Sequence, residues 1–152
     1  MLPNQTGLSP TRRVLQPGGR VAFTSWAAPA ENIAWRLLFE AISAHGDLKA
    51  ADTPPPGGSL RSPEDLLSAL DTAGFTETAA RRMYGEWRLA TPGDLVEGFR
   101  RGTVRTAALI GAQSASALPA IEAAIVCAGA AYSIPDGLAV PLVAIFASGV
   151  RG

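Results

Sequence analysis

Hydrophobic residues along the chain predict three strands separated by pairs of helices. Residues 20–26 form a short segment that is apolar on both faces and contains two aromatic residues, which is typical of a strand covered on both sides. Residues 75–90 predict a long irregular strand with a bulge near Gly85, and residues 138–148 predict a final apolar strand. Pro141 has no backbone donor, so it favours an edge position, a bulge or a shorter final strand.

Apolar residues recur at helical spacing elsewhere in the chain. Residues 11–16 predict a last helical turn, and the full predicted helices are residues 29–45, 62–73, 91–113 and 118–131. The second of these begins with Ser62 as the N-cap, Pro63 at the first position and acidic residues in the first turn, and Gly74 ends it. The order β-α-α-β-α-α-β predicts an α/β fold.

Composition indicates a folded domain without a strong electrostatic preference. The chain has 152 residues, 47% of them hydrophobic, and its mean hydropathy of +0.17 argues against disorder. Thirteen basic residues balance thirteen acidic ones, so no basic excess favours a nucleic-acid partner. Zero net charge also removes a safeguard against self-association. We expect residues 1–11 to form an irregular N-terminal arm and residues 12–152 to form one domain.

Cysteine and hydropathy patterns disfavour secreted and membrane proteins. Cys127 is the single cysteine, which excludes an intrachain disulfide, and its alanine-rich apolar surroundings predict a buried, unreactive thiol. No segment offers the roughly 18 apolar residues of a membrane span, and the first eleven residues lack the apolar core of a signal peptide. We therefore expect a cytoplasmic protein with no membrane partner.

Candidate binding residues lie in two places. Trp26 ends the first strand, where open α/β sheets bind ligands beyond the carboxyl ends of their strands; the alternative is a packing residue at the rim. The helices before the last strand form a candidate cover over a substrate pocket; the alternative is a solvated face in which Glu97 pairs with Arg101. The candidate substrate-binding residues are Trp26, Phe99, Arg101 and Arg105.

Other titratable residues carry no recognisable chemistry. His45 is the single histidine, and its predicted place at a helix C-terminus favours a cation that stabilises the helix dipole over a general base. The carboxylates are scattered and show neither metal-ligand spacing nor a catalytic pair. The sequence therefore predicts no catalytic residue and no metal site.

Three short phrases occur in order along the chain. Residues 14–21 read Val-Leu-Gln-Pro-Gly-Gly-Arg-Val, residues 62–67 read Ser-Pro-Glu-Asp-Leu-Leu, and residues 73–75 read Ala-Gly-Phe. Together they resemble the C-terminal portion of class I S-adenosylmethionine-dependent methyltransferases, in the methyltransferase type 11 group that includes quinone-biosynthesis-like enzymes. This resemblance implies part of a Rossmann-like methyltransferase sheet, with three C-terminal strands and a helical insertion before the last one.

The same resemblance implies a cofactor whose site the sequence lacks. The family holds S-adenosylmethionine with a glycine-rich turn after one strand and an acidic residue at the end of the next. No Gly-x-Gly-x-Gly follows a predicted strand here. We therefore expect a truncated form of a small-molecule methyltransferase, without bound cofactor and without activity on its own. The alternative is a non-catalytic interaction module or a binder of small apolar ligands.

In the resembled family the last strand runs antiparallel between its two neighbours. Carried over to this chain, that arrangement leaves the first strand with an open edge and uncovered apolar faces. Unpaired edges of this kind favour aggregation, dimerisation or pairing with a partner half.

Overall fold

The computed structural model describes residues 8–51 and 60–152, which form six α-helices and four strands. The helices are α1 (Leu8–Val14), α2 (Ile33–His45), α3 (Pro63–Thr72), α4 (Gly93–Gly102), α5 (Val104–Gly111) and α6 (Leu118–Gly129), and a 3₁₀ turn follows at Ala130–Tyr132. The strands are β1 (Arg20–Trp26), β2 (Phe75–Leu89), β3 (Ser133–Ile134) and β4 (Gly137–Arg151). The mixed α/β class predicted from the sequence is confirmed. Residues 8–11, which were predicted to belong to an irregular arm, form part of α1, and residues 1–7 lie outside the described residues.

The long strand β4 lies in the middle of an open sheet of order β1-β4-β2, with the short β3 paired to its start. β1 runs antiparallel to β4, from the pair Arg20 and Val150 to the pair Trp26 and Ala144. β2 is antiparallel to β4 as well. Its first residues lie beside the end of β4, where the Thr76 hydroxyl donates to the Val150 carbonyl at 3.3 Å. Its last residue, Leu89, lies beside Gly137 at the start of β4.

Pro141 lies within β4 and does not shorten it, since the strand continues for ten residues beyond it to Arg151. The segment of β4 that pairs with β3 ends at Leu138, and the segment that pairs with β1 begins at Ala144. Pro141 lies between the two. Proline has no backbone N–H to donate, and at this position neither β1 nor β3 requires one.

The Pro-Gly-Gly turn leads from α1 into β1 as the sequence predicts. Gly18 has φ +75°, a conformation that favours glycine, and its N–H donates to the Arg151 carbonyl at 2.7 Å. Gly19 is needed for space, because a Cβ there would lie 2.7 Å from the Gln16 carbonyl oxygen. The turn thus fixes the start of β1 against the end of β4.

The predicted start of α3 is also confirmed. Ser62 Oγ accepts a hydrogen bond from the Asp65 N–H at 3.1 Å, and Asp65 Oδ2 accepts from the Ser62 N–H at 3.0 Å, which completes a capping box. Asp65 also accepts from the Arg61 N–H at 3.0 Å. These hydrogen bonds, the one from Arg61 first, hold the pKa of the Asp65 carboxyl below its ordinary value of 3.8. Gly74 ends the helix with φ +79°.

The chain divides into two compact units where one domain was expected. The sheet unit comprises residues 1–28, 57–84 and 143–152, of which 8–28, 60–84 and 143–152 are described. Its core is formed by α3 against one face of the sheet, with Leu66 and Leu70 packed on Phe75, Ile145 and Ala147.

The helical unit comprises residues 29–56 and 85–142, of which 29–51 and 85–142 are described. Its fully buried side chains include Leu38, Ile42, Leu95, Phe99, Ile121 and Ile125. The Phe99 ring meets Trp35 and Trp87 edge-on, with centroids 5.5 and 5.6 Å away. Gly98 leaves room for the Trp87 indole, because a Cβ at that position would lie 2.3 Å from its Cζ2 atom.

One predicted helix is two helices in the structure. Residues 91–113 are divided into α4 and α5 by Thr103, whose φ of −142° and ψ of 118° are extended. Gly102, Thr103 and Val104 are weak helix formers in succession, and the Thr103 hydroxyl donates to the Phe99 carbonyl at 3.1 Å. The break changes the direction of the chain within the predicted helical insertion.

Candidate functional site

β1 is an edge strand, and its backbone hydrogen-bonding groups alternate between β4 and the free side. The Ala27 N–H donates to Val143 at 3.0 Å, and the Gly19 carbonyl accepts from Arg151 at 2.8 Å, so odd-numbered residues bond to β4. In an antiparallel pair the next residue along directs its N–H and C=O to the opposite side. Ala22 and Thr24 therefore present their backbone groups at the outer edge, where the described residues supply no strand.

The side chains of β1 do not have the two-sided cover that the sequence predicts. Exposed and half-buried residues alternate along the strand, and none of the seven is buried. Val21 and Phe23 lie on the face that packs on α3, while Ala22, Thr24 and Trp26 lie on the opposite face. The correction has a simple cause: within the described part of the sheet unit, helices pack on one face of the sheet at β1.

The exposed face of β1, here called the outer face, continues onto β4. Directly opposed residues share a face, so Phe146 lies beside Thr24, and Ala144 lies beside Trp26. The Arg81 guanidinium carbon lies 5.7 Å from the centroid of the Phe146 ring, within the range of a cation–π contact. Trp26 is 45% exposed at the end of this face.

Among the predicted substrate-binding residues, Trp26 is the one in the sheet unit. It ends β1, as the sequence predicts, and its indole is partly accessible. The other three residues belong to the helical unit.

Phe99 is not an accessible pocket residue, which corrects the assignment made from the sequence. Its side chain is 0% exposed and forms the centre of the helical core, between the Trp35 and Trp87 rings. The physical reason is the face that α4 presents: Leu95 and Phe99, four residues apart, both point into the core.

The two arginines of the prediction lie at the surface. Arg101 forms an ion pair with Glu97, the i,i+4 pair that the sequence predicts for a solvated face. Arg105 is exposed near the start of α5. The described contacts of Arg101 thus favour the solvated-face interpretation over a substrate contact.

His45 lies at the C-terminus of α2, as predicted, beside a cavity of about 420 Å³ in the helical unit. The polar lining of this cavity is largely occupied by the fold. Gln113 accepts from the Asp47 N–H at 2.8 Å and donates to the Asp47 carbonyl at 2.8 Å, and Ser114 Oγ accepts from the Ala117 N–H at 3.2 Å. These groups hold the turn after α2 to the end of α5. Among the described residues that line the cavity, we find no set of converging groups for catalysis.

Cys127 is exposed on α6, whereas the sequence predicts a buried thiol. The helix is apolar nearly all round, so its composition does not distinguish the buried face. Ile121 and Ile125 take the inner positions, and Cys127 lies outside them.

S-adenosylmethionine does not fit the turns that follow the described strands. β1 leads into Ala27, Ala28 and Pro29, which lack the glycine that allows a cofactor to approach the backbone. After β2 the chain has Gly93, but Asp94 beside it accepts hydrogen bonds from the N–H and hydroxyl of Thr91, at 2.8 and 3.0 Å. The Oδ2 atom of that carboxylate is therefore engaged within the turn that enters α4.

Residues 8–51 and 60–152 were compared with the requirements of a metal site and of a membrane-spanning helix. No group of three or more histidine, cysteine, aspartate or glutamate side chains in these ranges is arranged to hold a metal ion. None of the helices described here has the length and hydropathy to cross a bilayer.

Comparison of the sequence with protein-family models and with curated proteins gave no match. The candidate site therefore rests on geometry: an edge strand with accessible backbone groups and an outer face that includes Trp26.

Proposed function

We propose that this chain forms the C-terminal, substrate-side part of an S-adenosylmethionine-dependent methyltransferase-like domain that acts on a small molecule. One observation carries the proposal: β4, the last strand, lies between β1 and β2 and runs antiparallel to both. The resemblance of the three sequence phrases implies that order.

The turns support the same proposal. The Pro-Gly-Gly phrase forms the turn that enters β1, and Ala73, Gly74 and Phe75 form the turn from α3 into β2. These two turns support the proposal, because the resemblance implies a turn into a strand at both phrases. Because local turns of this kind recur in other α/β proteins, they add less weight than the strand order.

In this proposal the outer edge of β1 receives the strands that hold the cofactor. Ala22 and Thr24 provide the backbone groups for that pairing, and Trp26 lies at the carboxyl end of β1, where such sheets bind their ligands. No Gly-x-Gly-x-Gly follows a predicted strand in the sequence, so we expect the 152-residue chain alone to transfer no methyl group.

A chimera tests the proposal. The first four strands of a class I methyltransferase of known structure are joined upstream of Arg12, and S-adenosylmethionine binding is measured by calorimetry. We expect the chimera to bind the cofactor and its Thr24→Pro variant to bind poorly, because proline removes an outer-edge donor. Thr24→Val, which keeps the N–H, is the control. A folded chimera that fails to bind would contradict the proposal, as would tight binding by the 152-residue chain alone.

A non-catalytic interaction module is the second candidate, and the exposed outer face favours it. Ala22, Thr24 and Trp26 are all exposed along one side of an edge strand. Such a module needs no cofactor and uses β1 as a docking strand. The chimera separates the two candidates, because only the methyltransferase proposal expects cofactor binding to appear.

A further inference from the structure

We propose that the cavity beside His45 binds a small organic cation, namely a primary amine in its ammonium form with a short apolar tail. The inference goes beyond the methyltransferase proposal and does not depend on it, since it uses the helical unit alone. The cavity has a volume of about 420 Å³, which lies in the size range of small-molecule sites in proteins. Its lining comes from the ends of α2 and α5 and from the turns that follow them.

Two helices end at this cavity with their C-termini. His45 and Gly46 line it at the end of α2, and Ala112 and Gln113 line it directly after the end of α5. The peptide dipoles of a helix add up to about half a negative charge at its C-terminus. Two such ends at one cavity favour a positively charged ligand and disfavour an anion.

Asp47 adds a full negative charge to the lining of the cavity. Its Oδ1 atom accepts from the Lys49 N–H at 2.8 Å, which orients the carboxylate. A carboxylate has about four acceptor positions, so it can also accept from an ammonium group. Because Asp47 is exposed, a cation reaches it from solvent without the large cost of burying a charge.

The wall of the cavity around Asp47 is held in place by the buried Gln113 side chain. Gln113 Oε1 accepts from the Asp47 N–H at 2.8 Å, and Gln113 Nε2 donates to the carbonyls of Asp47 and Leu109, at 2.8 and 3.0 Å. A Cβ at Gly46 would overlap Gln113 Oε1, so the glycine permits this close approach. The turn after α2 is therefore fixed against α5, which lowers the entropic cost of binding a ligand there.

Three methyl groups indicate that the cation is organic. Ala50, Ala112 and Ala117 line the cavity together with the polar groups. An alkyl tail that packs against them removes apolar surface from water, which an inorganic cation does not do. The lining thus matches a ligand with an ammonium group at one end and a short hydrocarbon chain at the other.

Butylammonium chloride is the probe, and its binding to the isotope-labelled 152-residue chain is followed by NMR at pH 7 and constant ionic strength. We expect a low millimolar dissociation constant, as suits a ligand of about five heavy atoms. The largest shifts should occur at the backbone amides of Gly46, Asp47, Gln113 and Ser114. Neutral 1-butanol and anionic butyrate should bind about tenfold more weakly or less. Equal affinity for 1-butanol, shifts centred elsewhere or no binding would overturn the proposal.

Variants separate the proposed site from unspecific binding. Asp47→Asn keeps a side-chain oxygen for the Lys49 N–H, so circular dichroism should stay unchanged while the affinity falls about threefold to fivefold, the effect of an exposed ion pair. Asp136→Asn, at an exposed carboxylate in the turn before β4, is the matched control and should keep the wild-type affinity. Ala112→Leu should weaken binding as well, because its side chain takes the space of the tail. Wild-type affinity in Asp47→Asn or in Ala112→Leu would refute the site.

Discussion

The two units of the chain bury their apolar surface in different ways. In the helical unit, α2, α4, α5 and α6 close around a shared core, with Phe99 at its centre. In the sheet unit, α3 packs on one face of the sheet, while the opposite face at β1 is exposed. One unit therefore satisfies its own hydrophobic side chains, and the other leaves an edge and a face at which another strand can bind.

The largest expected effect tests the core of the helical unit. Phe99→Ala removes a ring that is 0% exposed and edge-on to two indoles, so we expect a loss of about 3–5 kcal/mol in the free energy of unfolding. Denaturant titration followed by tryptophan fluorescence measures it. Phe99→Leu, which keeps most of the volume, should cost much less. A loss below about 1 kcal/mol for Phe99→Ala would mean that the core is loosely packed.

The same substitution in both units makes the comparison direct. Leu38 and Leu70 are each 0% exposed, one in the helical unit and one in the sheet unit. We expect Leu38→Ala to fall near the upper end of the usual range of about 2–5 kcal/mol and Leu70→Ala near the lower end. The reason is that a core covered on one face relaxes more readily around a cavity. Leu67→Ala, at a half-buried position, provides the control. Equal losses in the free energy of unfolding for Leu38→Ala and Leu70→Ala would contradict the contrast between the units.

The smallest effect concerns the pH dependence of the sheet unit. Hydrogen bonds from Arg61 and Ser62 lower the pKa of Asp65 in the folded state below 3.8. The contribution of Asp65 to the free energy of unfolding is therefore complete above its pKa in the unfolded state. This contribution is lost as the pH falls through the lower pKa of the folded state. Asp65→Asn should therefore flatten the decline of stability in acid and lower stability slightly at neutral pH. Thermal unfolding from pH 2 to pH 7 measures this, with exposed Glu64→Gln as the control. An unchanged acid profile in Asp65→Asn would show that the capping carboxylate does not contribute.

Local signals predicted the parts of the fold that depend on neighbouring residues. The cap at Ser62, the proline at the first helical position and the glycine at position 74 act within one turn, and the structure confirms all three. The turn at Gly18 is local in the same sense. The sequence was therefore sufficient for the bounds of α3 and for the entry into β1.

Features that depend on distant residues were not predicted. Phe99 is buried because Trp35 and Trp87, far away in the sequence, lie against it. The exposure of Cys127 depends on which side of a nearly uniform apolar helix meets α2. The one-sided cover of β1 depends on where α3 packs. Hydrophobic periodicity reports that a face is apolar, but it does not report what covers that face.

The contact between Gly98 and Trp87 constrains how this sequence can change over time. The indole occupies the space in which any side chain at position 98 would begin. A methyl group at position 98 thus becomes acceptable only after position 87 has become smaller, which fixes the order of two substitutions. In divergent copies of this gene we expect the two positions to covary, with a large residue at one accompanied by a minimal residue at the other.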